Sequence, residues 1–256
     1  MSNLFTSSSM AAGYASARPA VHPRVIERVA AALGIHAPVE RALDVGCGAG
    51  LSTRALQPLA RLCCGIEPVE AMLRGSASTA PGAVFAAGAA ELLPVRSQSV
   101  DLVSAAGSLN YVDLDRFFPE VRRVLRPHGW LVAYDFSQGC TFSASSVLQQ
   151  WFAEFRRRYP PPTGDVRPLD PEILAGLDSG LTAGPCEHLE IWLPFTAGRY
   201  LDYVMTETNV AMAIGAGAAA SEIREWCRAT LDPLFAAEER EVLFRAYYAC
   251  FRLPST

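Results

Sequence analysis

A glycine-rich turn that begins with a carboxylate is the stretch of this sequence with the clearest chemical potential. Asp44 follows a short apolar run and precedes glycines at positions 46, 48 and 50, in the pattern D-x-G-x-G-x-G. A dinucleotide-binding turn has the spacing G-x-G-x-x-G and directs a helix N-terminus at a pyrophosphate. Here the third glycine comes one residue early, and the carboxylate would repel a phosphate and attract a cation. The turn therefore favours a ligand that carries an ammonium group and no phosphate.

A second acidic residue ends the next apolar run. Glu67 stands where a carboxylate can accept both hydroxyl groups of a ribose, a role common to several adenosine cofactors. Together with Asp44 it favours S-adenosylmethionine, which carries both an ammonium and a sulfonium group. A nicotinamide-dependent oxidoreductase is the alternative, and a tight connection without any ligand is a third interpretation.

The elements around these residues alternate between apolar runs and helical patterns. Five runs predict strands at residues 41–45, 61–66, 83–88, 100–106 and 129–136. Their near-continuous apolar character is typical of parallel strands covered on both faces. Helices are predicted before and between them, at residues 23–33, 51–59, 68–75 and 114–125. Pro119 predicts that the last of these helices is either kinked or begins there.

The alternation of predicted strands and helices ends after Thr141. A helix rich in aromatic residues ends at three consecutive prolines, and two further helices are predicted at residues 197–214 and 220–231. Two more strands, at 188–195 and 242–253, bring the number of predicted strands to seven. This order predicts an α/β fold with a doubly wound, mostly parallel, Rossmann-like seven-stranded sheet and a mainly helical cap.

We accordingly divide the chain into four parts. They are an N-terminal segment (residues 1–20), which the family resemblance given below places over the cofactor site, a cofactor-binding core (21–140), an acceptor-binding cap (141–235) and a last strand that returns to the core sheet (236–256).

Composition limits the possible functions. The formal charge of −4 and the pI near 5.6 argue against nucleic-acid or anionic membrane partners. All 22 basic residues are arginines, which excludes lysine Schiff-base and P-loop chemistry. Seven dispersed cysteines without a C-x-x-C pair predict neither a disulfide framework nor a metal site. No run is apolar enough for a signal peptide or a membrane span, so a cytoplasmic location is expected.

Five segments in order resemble the class I S-adenosylmethionine-dependent methyltransferases, in particular the bacterial small-molecule branch known as type 11. The resemblance extends from residue 14 to about 136. The segments that carry it are YASARPAVHP, LDVGCGAG, GIEPVEAML, AAGAAELLPVRSQSVDLV and RRVLRPHGWLVAYD.

The resemblance implies which residues contact the cofactor. Tyr14 and Arg18 would approach its methionine end, and Met72 would pack near the adenine. Ala89 replaces an Asp that bonds the adenine amino group in many relatives, so recognition there would rely on the backbone around Ala90. His22 stands where the family pattern has Tyr. The full implied set is Tyr14, Arg18, Asp44, Gly46, Cys47, Gly48, Gly50, Glu67, Pro68, Met72, Ala89, Ala90, Glu91 and Ala106.

The methyl acceptor is less well defined by the sequence. Methyl transfer depends mainly on the positioning of the two reactants. No general base is evident in the sequence, and a carboxylate acceptor would not need one. Asn110 and Tyr111 follow the fourth strand and are predicted to face the acceptor; with Tyr14 they are the candidate catalytic residues. Trp151 and Tyr203, among the cap aromatics, are predicted to line an apolar acceptor pocket, although most aromatics at such spacing are core residues.

The sequence therefore predicts transfer of a methyl group from S-adenosylmethionine to a small, largely apolar metabolite, with S-adenosylhomocysteine as the product. No NPPY-like segment follows the fourth strand, which together with the charge disfavours a nucleic-acid acceptor. The alternatives are an NAD-dependent oxidoreductase and a non-catalytic regulatory protein that binds S-adenosylmethionine.

Overall fold

The computed structural model describes residues 17–161 and 167–254, and these fall into two compact units. The helical unit draws its described residues from Met1–Ala20, Ser137–Asp165 and Glu190–Arg245. The sheet unit draws its residues from Val21–Phe136, Val166–Leu189 and Ala246–Thr256. The described segment 167–189 thus groups with the sheet, whereas the predicted cap ran without interruption from 141 to 235. An acceptor-binding role for that cap stays a prediction.

Parallel strands form the sheet unit. They are β1 (Val39–Val45), β2 (Ala60–Glu67), β3 (Val84–Ala87), β4 (Val100–Ala106) and β5 (Leu125–Phe136). In the order β3-β2-β1-β4-β5, every neighbouring pair is parallel. The predicted doubly wound, mostly parallel fold is confirmed. It brings the carboxyl ends of all five strands to one edge, where ligands bind in sheets of this kind.

Three further strands complete the strand set of the described chain. They are β6 (Thr141–Phe142), β7 (Thr182–Phe195) and β8 (Arg240–Arg252). Residues 246–252 of β8 pair antiparallel with residues 130–136 of β5. The two-residue β6, which pairs with residues 242 and 243, adds one short strand to the seven predicted.

The helices of the sheet unit are mostly shorter than predicted. They are α1 (Val21–Leu33), α2 (Leu51–Leu56), α3 (Glu70–Leu73), α4 (Ser76–Thr79), α5 (Leu114–Val124) and, further along the chain, α7 (Pro171–Ala175). After α2 the chain continues as a 3₁₀ turn through residue 59, with Pro58 in its first turn. α5 begins at Leu114, so a helix start at Pro119 is wrong. The Asp113 side chain caps it by accepting the N–H of Asp115, which stabilises a start ahead of the proline.

The helical unit is built around aromatic side chains. Its helices are α6 (Val147–Arg158), α8 (Ala197–Val204), α9 (Thr208–Gly215) and α10 (Ala220–Phe235). The helix predicted at 197–214 is therefore two helices. Between them the Thr206 hydroxyl donates to the Tyr203 carbonyl, which offers that carbonyl a partner outside the helical ladder. In the described part of the chain, no helix combines the length and apolarity that crossing a bilayer would require.

Arg123 holds the loop after β3 on α5. Its guanidinium donates to the carbonyls of Leu93 and Val95 at 2.9 and 2.7 Å. Glu120 pairs with Arg123 at 2.7 Å and accepts the N–H of Leu93. Arg123 holds the pKa of the Glu120 carboxyl below its usual range. The network fixes the chain just after residues 89–91, which are predicted to lie along the adenine.

We expect Arg123→Met to lower the free energy of unfolding by about 1–3 kcal/mol, because two carbonyls and a carboxylate lose a charged donor. Urea denaturation measures the change. Arg116→Met is the matched control, since Arg116 is exposed on the same helix. Equal stability of the two variants would show that the network does not hold the loop.

Candidate active site

The glycine turn between β1 and α2 adopts backbone angles that favour glycine. Gly46, Gly48 and Gly50 have φ values of +72°, +52° and +88°. A Cβ on Gly46 would lie 2.4 Å from the Cβ of Ser108, so the turn packs directly against the loop after β4. Among the described residues, a Cβ on Gly48 would meet only the Cε of Met72, at 3.6 Å. Gly46 is thus required by packing, whereas the space beside Gly48 is open to a ligand.

Asp44 lies beneath this turn and is completely buried. Its Oδ2 accepts hydrogen bonds from the Ser52 and Thr53 hydroxyls, at 2.6 and 2.7 Å. Its Oδ1 is buried and has no hydrogen-bond partner among the described residues. Burial raises the pKa of Asp44 to about 6, and the two hydroxyls oppose this only in part. The carboxylate therefore fixes the first turn of α2 and keeps one oxygen for a further donor.

Glu67 ends β2 on the other side of the turn. Its Oε2 accepts the N–H of Gly48 and its Oε1 accepts the N–H of Val69, both at 3.0 Å. Burial raises the pKa of Glu67, and the two backbone donors lower it by less. Each oxygen of a carboxylate can accept a second hydrogen bond. Glu67 can therefore hold the turn and still accept ribose hydroxyls.

The other predicted cofactor residues of the sheet unit lie at the carboxyl ends of β1 to β4 or in the segments that follow them. Cys47 and Ala90 are buried, Met72 and Ala106 are partly buried, and Pro68 and Ala89 are exposed. The side chain of Glu91 accepts the N–H of Asp113 at 3.0 Å. The parallel sheet thus brings these positions to the same edge as Asp44 and Glu67. Their individual contacts with a cofactor stay predictions.

Two predicted cofactor residues belong to the N-terminal segment. Tyr14 lies outside the described residues. Arg18 is in the helical unit, where it forms an ion pair with Glu207 at 3.2 Å and donates to the Thr206 carbonyl at 3.1 Å. Its guanidinium also lies over the ring of Tyr203, 5.6 Å from the centroid. These contacts occupy Arg18 within its own unit, and its implied contact with the methionine end stays a prediction.

The two aromatics predicted to line an acceptor pocket are core residues of the helical unit. Trp151 stacks on Phe155 with ring centroids 5.2 Å apart, and its indole N–H donates to Thr230. Tyr203 is 1% exposed and packs against Phe195. A contact of either residue with the acceptor stays a prediction.

Asn110 and Tyr111 both lie in the 3₁₀ turn after β4, as predicted for acceptor-facing residues. Tyr111 is 67% exposed. The Asn110 amide instead donates to Oδ2 of Asp135 at 2.9 Å. The two neighbours therefore differ in environment, and their contact with the acceptor stays a prediction.

Asp135 is a residue that the sequence interpretation missed. It lies near the carboxyl end of β5, and its Oδ1 accepts the N–H of Phe136 at 2.8 Å. Burial raises its pKa above the usual range despite this bond and the bond from Asn110. With Asn110, Gly107 and Tyr247 it lines a cavity of about 10 Å³, the size of a single water. The sequence signal that could have identified Asp135 is a single carboxylate near the end of an apolar strand.

Comparison with known proteins agrees with this arrangement. Residues 43–133 match the family model described as a methyltransferase domain. An uncharacterised methyltransferase of Mycobacterium tuberculosis is 34% identical over 123 residues, which cover 48% of this chain and 49% of that protein. A phthiotriol/phenolphthiotriol dimycocerosates methyltransferase of Mycobacterium leprae is 30% identical over 178 residues, 66% of this chain and 63% of that protein. The chain thus spans about half the length of the first of these relatives and less than two thirds of the second.

A solved structure of a candidate type II methyltransferase from Anaeromyxobacter dehalogenans shares the fold. Its TM-score is 0.70 at 23% identity, and the match covers 93% of this chain and 97% of the other. At that identity the likeness concerns the fold alone. Residues 43–133 thus match a methyltransferase domain, and the related sequences and the glycine turn agree with the resemblance to the class I S-adenosylmethionine-dependent methyltransferases.

Proposed function

We propose that the protein transfers a methyl group from S-adenosylmethionine to a small, largely apolar acceptor. The observation that carries the proposal is the pair of buried carboxylates, Asp44 and Glu67, that hold the glycine turn. An oxygen without a donor, Asp44 Oδ1, suits an ammonium group and opposes a pyrophosphate. The pair therefore supports S-adenosylmethionine over a nicotinamide dinucleotide.

The residues present fit this cofactor. Asp44 would hold its ammonium group, Glu67 would accept its ribose hydroxyls, and the open space at Gly48 would admit its amino-acid portion. When bound, S-adenosylmethionine supplies a methyl group on a positively charged sulfur, already activated for displacement. The task left to the chain is to bind and orient the two reactants and to exclude water.

A small-molecule acceptor is supported indirectly. The Mycobacterium leprae relative is named for phthiotriol and phenolphthiotriol dimycocerosates, and the acidic charge of this chain disfavours nucleic acid. Asn110 and Tyr111, at the carboxyl end of β4, are the proposed acceptor contacts within the sheet unit.

Calorimetry with S-adenosylhomocysteine and with NAD separates the proposal from an oxidoreductase. We expect the first ligand to bind and the second not to bind. Mass spectrometry of products formed from candidate acceptors then separates a methyltransferase from a protein that only binds the cofactor. Binding of NAD in preference to S-adenosylhomocysteine would contradict the proposal.

We expect Gly48→Val to abolish detectable binding of S-adenosylhomocysteine, because its side chain would occupy the open space of the turn. The φ of +52° also strains any side chain there, at about 1–2 kcal/mol. Gly82→Val is the control for that strain, since Gly82 has a φ of +86° and open space around it. Calorimetry and urea denaturation should show similar stability losses but a loss of affinity for Gly48→Val alone. Equal affinities in the two variants would refute the placement of the ligand.

We expect Glu67→Gln to weaken binding of S-adenosylhomocysteine about tenfold or more, because a charged acceptor of the ribose hydroxyls becomes neutral. Glutamine also turns an N–H₂ group towards one of the two backbone donors. Titration calorimetry gives the affinity, and circular dichroism checks the fold. Glu70→Gln, an exposed change on α3, should bind as the wild type does. A folded Glu67→Gln protein with wild-type affinity would be inconsistent with a ribose contact.

We expect cofactor binding near pH 6 to release protons. In the unliganded protein, burial of ionised Asp44 lowers stability as the pH rises from 3.8 to about 6. A bound ammonium group favours the ionised form and lowers this pKa, so a proton leaves on binding. The release should fade by about pH 8, where Asp44 is already ionised. Calorimetry in buffers of different ionisation enthalpy measures it, and Asp44→Asn should lose it. Identical release in wild type and variant would place the ammonium group elsewhere.

A further inference from the structure

Asp135 lies against the loop that follows β4. A Cβ on Gly107 would lie 2.9 Å from Oδ1 of Asp135, so the backbone passes close to the carboxylate. Gly107 has a φ of +61°, which glycine adopts without strain, and this allows the approach. The next residue, Ser108, contacts Gly46 of the glycine turn and donates to the carbonyl of Val45 at 2.8 Å. Two successive residues therefore connect the Asp135 carboxylate to the cofactor turn.

The Asp135 carboxylate has capacity to accept another proton donor. Its two oxygens accept one hydrogen bond each, from Phe136 N–H and the Asn110 amide, whereas an ionised carboxylate has about four acceptor positions. The water-sized cavity that Asp135 lines is large enough for a single hydroxyl group. The hydrogen bond from the Asn110 amide fixes the orientation of the Asp135 carboxylate.

Two tyrosines flank Asp135 and do not compete with it for a proton. Tyr134 precedes it on β5, and Tyr247 lies opposite it on β8. Burial raises the pKa of both phenols, so they stay neutral at physiological pH. Asn110 does not titrate. A buried carboxylate is a stronger base than one exposed to water, because burial disfavours its charged form.

We infer that Asp135 is the catalytic base of this enzyme and that the acceptor is methylated on a hydroxyl oxygen. The inference deepens the proposed function and rests on it. A hydroxyl is a weak nucleophile until it loses its proton, whereas a neutral amine attacks without prior deprotonation. A base positioned at this edge of the sheet thus points to a hydroxyl. A carboxylate acceptor, which needs no base, would be repelled by Asp135.

The step balances with the groups named. The hydroxyl oxygen forms a bond to the methyl carbon while the carbon–sulfur bond breaks, and the bonding pair stays on sulfur to give the neutral thioether. The hydroxyl proton passes to a carboxylate oxygen of Asp135 and later to water. Besides its proposed contact with the acceptor, Asn110 orients the Asp135 carboxylate through the hydrogen bond from its amide.

Two phenols of different acidity test the assignment in the intact protein. At about pH 8, 4-methoxyphenol is protonated and needs a base, whereas 4-nitrophenol is largely ionised and does not. We expect Asp135→Asn to lower methylation of 4-methoxyphenol about a hundredfold, within the usual range for general-base catalysis. Methylation of 4-nitrophenol should show no loss or a gain, because its anion no longer meets a charged carboxylate. Asp115→Asn, an exposed change at the start of α5, should leave both rates unchanged.

Calorimetry with S-adenosylhomocysteine separates this inference from the proposed function. Asp135→Asn should keep wild-type affinity for that ligand, because Asp135 contacts the acceptor and not the cofactor. Equal rate losses for the two phenols would assign Asp135 a structural role and overturn the inference. Methylation of neither phenol by a protein that binds S-adenosylhomocysteine would also overturn it. Failure to bind S-adenosylhomocysteine would contradict the proposed function and, with it, this inference.

Discussion

The burial of Asp44 is the constraint on which the glycine turn depends. A carboxylate with no exposure to water is costly unless it is hydrogen-bonded, and here Ser52 and Thr53 supply two hydroxyls to one oxygen. Those hydroxyls come from the first turn of α2, so the same bonds that satisfy Asp44 also fix the direction in which the helix leaves the sheet. The other oxygen stays without a donor in the described chain, and its burial favours a positively charged ligand.

Three acidic side chains lie at one edge because the strands that carry them are parallel. Asp44 is next to the last residue of β1, Glu67 ends the neighbouring β2, and Asp135 lies near the end of β5, which β4 separates from β1. Burial raises the pKa of each, which means that the folded chain alone does not fully stabilise their charges. A cationic cofactor would relieve this at Asp44 and Glu67. Asp135 is separated from the glycine turn by the loop after β4. It therefore retains the basicity that a proton acceptor needs.

The aromatic residues show how the same pattern supports two interpretations. Trp151 and Tyr203 were predicted either to line a pocket or to fill a core, and their spacing is compatible with both. In the structure Trp151 stacks on Trp226 of α10, and Tyr203 packs against Phe195 at the end of β7. Packing of this kind is decided by which elements become neighbours, and periodicity within one helix carries no information about that.

The sequence by itself determined the parallel-sheet architecture, the glycine turn and the acidic residues Asp44 and Glu67. These depend on local patterns: apolar runs of strand length, glycines where φ must be positive, and a carboxylate where a strand ends. The cofactor edge could be predicted because a parallel sheet always brings the same strand ends together. Only the tertiary structure decided that Asn110 hydrogen-bonds Asp135 and that Gly107 passes within reach of the same carboxylate. Those residues are about 25 positions apart, and β4 and β5 become neighbours only when the sheet forms.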